Sequence, residues 1–288
     1  MKTFSQNRMK KLNKIFIEIQ GGLGNQLFQY AISRSIQLKC NGKIIIIKKI
    51  LKNPKNTQRK YLLDSFLLNI NSLNIISNFF FFIFNSFYCQ KIIENRDFKF
   101  QNLIFEKKNI FLKGYWQSYK YFDDIKNILY KEIFEFIKFN NSTYLKYFSM
   151  IKDCKSVAIH IRRGDYISNI NANSFHGFLG FDYYKRSIEL LKKKNSNLKY
   201  FIFSDDIQWC KKKFHGDEFI FIESLDDNEI LEMKLMSECN HFIIANSSFS
   251  WWPAFLSRSL HKIIICPKKW TLMKTNYNDL LPEEWIKI

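Results

Sequence analysis

From Lys155 onward the chain repeats one local theme, a short run of β-formers followed by a helical segment. "KSVAIHI" leads to "FDYYKRSIELLKKK", "KYFIF" to "DDIQWCKKKF", "EFIFI" to "DDNEILEMKLMSEC" and "HFIIA" to "SWWPAFLSRSL", and "HKIIIC" closes the series. Strands of about four to six residues alternating with helices of about ten to fourteen are the pattern of a doubly wound parallel sheet. Tyr184, Ile188 and Leu191 fall on one helical face. Asp226 and Glu229 stand at capping-box spacing, which places a helix start there. Pro253 is compatible with a helix only near its first turns.

The first half opens the same way: "KIFIEI" as a strand, "QGGLGN" as a turn, "QLFQYAISRSIQLKC" as a helix and "KIIIIK" as the next strand. Leu27, Tyr30, Ala31 and Leu38 mark the helix's apolar stripe. "LKNPKNTQRK" reads as a loop, and Leu62 to Lys108 as several helices or irregular chain. "NIFLKGYW" reads as a strand and "YFDDIKNILYKEIFEFIKF" as a helix. The two strand–helix series divide the chain near Cys154, into domains 1–154 and 155–288, although no Pro/Gly linker marks the boundary.

Charge narrows the partners. Lys plus Arg number 45 against 26 Asp plus Glu, a formal +19 that favours an anionic partner. Lysine is also scattered among abundant Asn, Ile and Phe, so a biased composition accounts for part of the excess. The six cysteines are dispersed without a CxxC and read as reduced, partly buried thiols. The histidines are isolated, and metal-ligand spacing is absent. The basic first fifteen residues lack the apolar core of a secretory signal. The Phe79–Phe84 run is far below the roughly 20 residues that a membrane span needs, and reads as a buried helix or a membrane-apposed aromatic face.

Four segments carry candidate chemistry. In "EIQGGLGNQLFQYA" a strand meets Gly21, Gly22 and Gly24 and then a helix, a recipe for close ligand approach at a helix N-terminus or for tight packing alone. The amides of Asn25 and Gln26 could there meet sugar hydroxyls. "HIRRGDY" ends a strand whose C-terminal edge faces the ligand crevice of an open α/β sheet. An arginine offers phosphate a fixed fork. Because side chains alternate along a strand, Arg162 and Arg163 are expected to do different jobs, one meeting phosphate and the other a carboxylate. Asp165 is a candidate to anchor an arginine, to orient His160 or to act as base. "FSDD" puts Ser204, Asp205 and Asp206 at the same edge, where one aspartate could simply cap the next helix. "IIANSSFSWW" brings Asn246, Ser247 and Ser248 to a helix start suited to phosphate. Trp251 and Trp252 read as core or a hydrophobic wall.

These blocks, "GGLGNQLFQYA", "HIRRGDY", "FSDD" and "NSSFSWWPAFL", with "GYWQS" as a further one, resemble those of the bacterial and animal α-1,2-fucosyltransferases, glycosyltransferase family 11. The resemblance implies two Rossmann-like domains facing a cleft, the GT-B arrangement. It implies an inverting enzyme that needs neither metal nor cofactor, and moves L-fucose from GDP-β-L-fucose to the 2-hydroxyl of a terminal β-galactoside, such as lactose or a cell-surface glycan precursor. By the same resemblance Arg162 would hold the diphosphate, with His160, Arg163 and Asp165 completing that block. Ser204 and Asp205 would lie near the guanosine, and Asn246, Ser247, Ser248 and Phe249 near phosphate or ribose. Gly21, Gly22, Asn25 and Gln26 would lie across the cleft near the acceptor.

The base stays open among Asp165, His160, Glu18 and a late proton transfer that uses no dedicated group. A GDP-sugar transferase of another linkage or acceptor is the alternative within the same fold. From other classes, nucleic-acid binding is disfavoured because the aromatics sit in apolar runs, and a non-catalytic membrane-surface protein is the remaining rival. The expected location is the bacterial cytoplasm, peripheral on the inner face of the membrane, with an anionic lipid surface as a further partner.

Overall fold

The computed structural model describes residues 11–48, 60–66, 68, 71–72, 88–95, 97–135, 140–164, 174, 177–273 and 277–288. The expected "LKNPKNTQRK" loop, save Lys60, and the Phe79–Phe84 run lie outside them. The chain divides into two compact units, Met1–Phe136 with Asn278–Leu280 and Ile137–Tyr277 with Leu281–Ile288.

Among the described residues the first unit holds a five-stranded, wholly parallel sheet. Its strands are β1 (Lys14–Ile19), β2 (Lys43–Lys48), β3 (Asn71–Ser72), β4 (Gln90–Ile93) and β5 (Asn109–Lys113), in the order β3-β2-β1-β5-β4. Ile15, Ile17, Ile44, Ile46 and Ile110 are all buried, as continuous apolar runs must be when both faces of a parallel sheet are covered. Helix α1 (Leu23–Cys40) buries Leu27, Tyr30 and Ala31, and Asn41 ends it in the left-handed region at φ 54°. Leu38, expected on the same stripe, is exposed, because the buried face of the last turns passes to Ile36 and Cys40.

The expected helix over 121–139 is instead broken. Two 3₁₀ turns, Tyr119–Tyr121 and Asp123–Ile125, precede α2 (Lys126–Tyr130), and a π turn follows over Lys131–Glu135. The π turn buries Ile133 and Phe134 side by side. Glu132 within it accepts Tyr30 Oη at 2.7 Å and pairs with Arg34 Nη2 at 2.7 Å, so the irregular helix is tied to α1.

The second unit begins with α3 (Ser142–Lys152), capped by Asn141. Among the described residues its sheet has six parallel strands in the order β11-β10-β9-β6-β7-β8. These are β6 (Lys155–Ile161), β7 (Leu198–Ser204), β8 (Phe219–Phe221), β9 (His241–Ile243), β10 (Ile264–Cys266) and β11 (Ile286–Lys287). Between them run α4 (Phe181–Lys194), α5 (Ile207–Lys213), α6 (Glu229–Ser237) and α7 (Ser248–Leu256). Val157, Ile159, Ile161, Tyr200, Ile202 and Ile243 form the sheet's contribution to one core, onto which α4 lays Tyr184, Ile188 and Leu191. The cap of α6 is Asn228 rather than Asp226: its side chain accepts the N–H groups of Ile230 and Leu231, while Asp226 is held at φ 55° in the preceding turn. Pro253 sits inside α7, whose neighbours Trp251 and Trp252 are fully buried. No helix among the described residues is long and apolar enough to cross a membrane.

Candidate functional site

Strand order decides where each sheet can open. In the second unit the chain builds outward through β6, β7 and β8 on one side and through β9, β10 and β11 on the other. The loops that leave the C-terminal ends of β6 and β9 therefore diverge, which opens a crevice between them. His160 to Arg163 lie at the end of β6, and Asn246 to Ser248 follow β9. The rings of His160 and Phe249 lie 5.5 Å apart, so the two segments meet at this switch point.

The two arginines turn to different partners. Arg162 Nη1 stands 2.9 Å from Asp205 Oδ2, and the pair is about a quarter exposed (24% and 26%). Arg163 is enclosed: its Nε meets Asp206 Oδ2 at 3.0 Å, and its guanidinium lies 4.1 Å from the Trp209 ring centroid and 4.9 Å from that of Phe178. The Arg163 bond holds the Asp206 carboxyl below its ordinary range. Asp206 also caps α5 by accepting the Trp209 N–H at 3.1 Å, and its own N–H donates to Ser204 Oγ at 3.0 Å. Arg163, Asp206 and Ser204 thus form a brace, whereas Arg162 is the more exposed of the two arginines. Asp165 lies outside the described residues.

His160 is buried, and among the described residues its Nδ1 has no hydrogen-bond partner. Burial first, and the charge of Arg162 second, lower its pKa to about 3. A histidine held neutral this firmly is a weak proton acceptor. Ser247 caps α7 by accepting the Phe249 N–H at 3.3 Å, and Ser248 opens the helix. Asn246 is buried, its Nδ2 donating to the carbonyls of Gly177 and Trp270 at 3.4 and 3.3 Å, so it ties two loops to the switch point. Glu232, which the sequence did not single out, is half-buried on α6, and its carboxyl is pushed up to about 7 by burial and then by Glu229, Asp227 and Asp205.

The first unit has its own switch point, between β1 and β5. Gly21 follows β1 at φ +81°, and a side chain there would place its Cβ 2.6 Å from Asn25 Nδ2. Asn25 therefore folds back over the glycine turn. Its Oδ1 accepts Gln117 Nε2 at 2.7 Å, and Gln117 comes from the loop after β5. That loop is itself held from the edge strand. Glu94, just past β4, accepts the N–H of Tyr115 at 2.5 Å and of Gln117 at 3.1 Å. Burial raises the Glu94 pKa, and these backbone bonds oppose the rise. Gly114 is required beside it, since any Cβ there would fall 2.4 Å from Glu94 Cβ.

Gln26 is spent on the backbone. Its Nε2 donates to the carbonyls of Gly21 and Lys60 at 2.9 and 2.7 Å, and its Oε1 accepts the Leu62 N–H at 2.9 Å. Gln29 likewise joins the Gln20 N–H to the Gly114 carbonyl. Of Asn25, Gln26 and Gln29, Asn25 is the one whose amide is set by a neighbouring side chain rather than consumed by the backbone. Glu18 is buried in β1. No group of three or more His, Cys, Asp or Glu among the described residues converges as a metal-ligand set.

The chain belongs to glycosyl transferase family 11, which it matches over residues 2–288. It is therefore a glycosyltransferase. It is 34% identical to the alpha-1,2-colitosyltransferase of Escherichia coli over 95% of this chain and 98% of that one. It is 27% identical to the O-antigen biosynthesis glycosyltransferase WbnK of Escherichia coli over 94% and 99% of the two chains. A shorter likeness, 27% identity over 35% of this chain and 28% of the other, joins it to the galactoside 2-alpha-L-fucosyltransferase Sec1 of Mus musculus.

Proposed function

We propose that this glycosyltransferase moves L-fucose from GDP-β-L-fucose to the 2-hydroxyl of a terminal β-galactoside, forming an α-1,2 linkage with inversion and without a metal. The observation that carries the proposal is that the end of β6, which bears Arg162, and the N-terminus of α7 meet at one switch point through the rings of His160 and Phe249. As the bond from the fucosyl C1 to the diphosphate oxygen breaks, that oxygen gains negative charge. The Arg162 fork and the N–H groups opening α7 would stabilise it by preorganised electrostatics. The galactose O2 attacks C1 from the opposite face and, as the new bond forms, passes its proton to solvent water. The Asn25 amide would meet a hydroxyl of the acceptor sugar. The mouse relative's name supplies the fucosyl and galactoside terms of this reading.

A second donor is favoured by the 34% identity to the colitosyltransferase over nearly the whole chain. Colitose is L-fucose without its 3-hydroxyl. A site that hydrogen-bonds that hydroxyl rejects the deoxy sugar by about 10⁴-fold or more, whereas an apolar pocket discriminates by about 10²-fold at most. The test is linkage-resolved product analysis with GDP-fucose or GDP-colitose and lactose in EDTA, beside Arg162→Ala. A 2-O-fucosyl product from the parent but not the variant supports the proposal, and turnover of GDP-colitose alone transfers it to the second donor. Absence of product with tight GDP binding would overturn the acceptor, and absence of both would overturn the donor class.

A further inference from the structure

The parallel topology of the second unit sorts its charges between two edges. Each helix runs back against the strands, so helix C-termini and strand starts share the N-terminal edge, opposite Arg162. Lys193 and Lys194 at the end of α4, Lys211 to Lys213 at the end of α5 and Lys155 at the start of β6 are all exposed there. The acids of this edge are fewer than its lysines and partly engaged: Glu218 pairs with Lys192 at 3.2 Å and Glu238 with Lys152 at 2.5 Å, leaving Asp153, Asp217 and, just before β11, Glu283 and Glu284. Asp205, Asp206, Asp226, Asp227, Glu229 and Glu232 gather on the other edge. Lysines in a helix's last turn answer its dipole, but Lys155 on a strand has no such reason. The separation is one of excess, since Lys268 and Lys269 after β10 stand on the acidic edge, but the six exposed lysines of the N-terminal edge still outnumber its four unengaged acids.

A second observation lies on the same edge. The loop from α7 to β10 carries Leu260, 84% exposed, between exposed Arg258 and exposed His261. A large apolar side chain held out in water beside a guanidinium suits a surface that is anionic at the top and apolar just below.

We propose that the N-terminal edge of the second unit docks on an anionic phospholipid bilayer, with the lysines at the headgroups and Leu260 inserted at the interface. This directs the switch-point edge away from the lipid. The inference rests on the sheet and its charges and not on the sugar chemistry above, so either can fail alone.

The test is sedimentation of the full chain with phosphatidylcholine vesicles, with and without phosphatidylglycerol. The parent binds only the anionic vesicles, and less as salt rises. Reversing Lys193, Lys194, Lys211 and Lys212 to Glu lowers the partition coefficient at least about a hundredfold, since each cation near such a surface contributes about fivefold. Leu260→Ser lowers it severalfold at unchanged charge. Thermal melts show whether the reversed variant folds, and the pairwise reversals at 193/194 and 211/212 give the same answer if it does not. Parent binding to neutral vesicles alone, no binding to anionic ones, or equal binding by the reversed variants overturns the proposal. So does preferential, salt-matched capture of random oligonucleotides through these lysines.

Discussion

Asp205 holds both arginines of the β6 end at once. Its Oδ2 pairs with Arg162 Nη1 at 2.9 Å, while its Oδ1 accepts the Arg163 backbone N–H at 2.8 Å. The carboxylate can approach this closely because residue 164 is glycine, where a Cβ would stand 2.9 Å from Asp205 Oδ2. One aspartate just past β7 thereby fixes the chain direction of the neighbouring strand end and holds its guanidinium.

Arg162→Ala is expected to cut kcat/KM by about 10²–10³, the usual cost of removing a preorganised donor from developing charge. Stability should change by less than about 1 kcal/mol, because the pair is partly solvated. Arg162→Lys keeps the charge without the planar fork and should recover only part of the loss. Initial rates beside thermal melts separate these effects; equal losses of rate and stability would assign Arg162 to the scaffold.

Arg163 should behave in the opposite way. Arg163→Met removes the Asp206 pair and leaves Trp209 and Phe178 without their cation, so the expected cost is about 1–3 kcal/mol of stability. Trp209→Leu should reproduce part of it. Once corrected for the folded fraction, the rate at saturating donor should fall less than threefold or so, against the hundredfold at Arg162. Denaturant melts with rates on the same samples check this.

The sequence showed the strands of both sheets because covered parallel strands are written as apolar runs: Lys14–Ile19, Lys43–Lys48 and Lys155–Ile161 are read to the residue. It also showed that Arg162 and Arg163 stand on different faces, since alternation is local. It did not show that Gln26 is consumed by Lys60 and Leu62, because those partners arrive from a loop with no pattern of its own. Glu94 was equally hidden: a lone acid past an edge strand has meaning only once β4 lies beside β5. The π turn at Lys131–Glu135 reads as ordinary helix because the partners that hold it, Tyr30 and Arg34 on Glu132, are about a hundred residues distant.

His160 makes acid stability a readout of the switch point. Its folded pKa, about 3, lies below the ordinary histidine value of 6.5. Above pH 6.5 both folded and unfolded chains hold it neutral, and its contribution is fully present. As pH falls from about 6.5 toward 3 the unfolded chain takes up a proton that the folded chain refuses, so stability falls by up to about 1.4 kcal/mol per pH unit. His160→Asn should flatten that slope in melts between pH 6.5 and 4.5. An unchanged slope would mean that the imidazole titrates in the folded state.

Gln117 touches Asn25 from the loop that Glu94 holds. With Gln117 Nε2 donating to Asn25 Oδ1, the Asn25 nitrogen is the group left to face a ligand oxygen. Gln117→Glu keeps the shape but sets a carboxylate against that oxygen, which favours a flipped Asn25 that presents Oδ1 instead. The expected result is a fall in kcat of about tenfold to a hundredfold, the range for one charge-directed hydrogen bond, with GDP affinity unchanged. The decisive comparison is the double variant. In an Asn25→Ala background there is no amide left to turn, so Gln117→Glu should cost almost nothing further. If the second substitution costs as much there as in the parent, Gln117 supports the loop rather than Asn25. Glu94→Gln separates the two roles again: it weakens the hold on the Tyr115 and Gln117 N–H groups while leaving the Gln117 amide intact, so it should loosen the loop, seen as faster backbone hydrogen exchange at 115 and 117, with a smaller loss of kcat than Gln117→Glu.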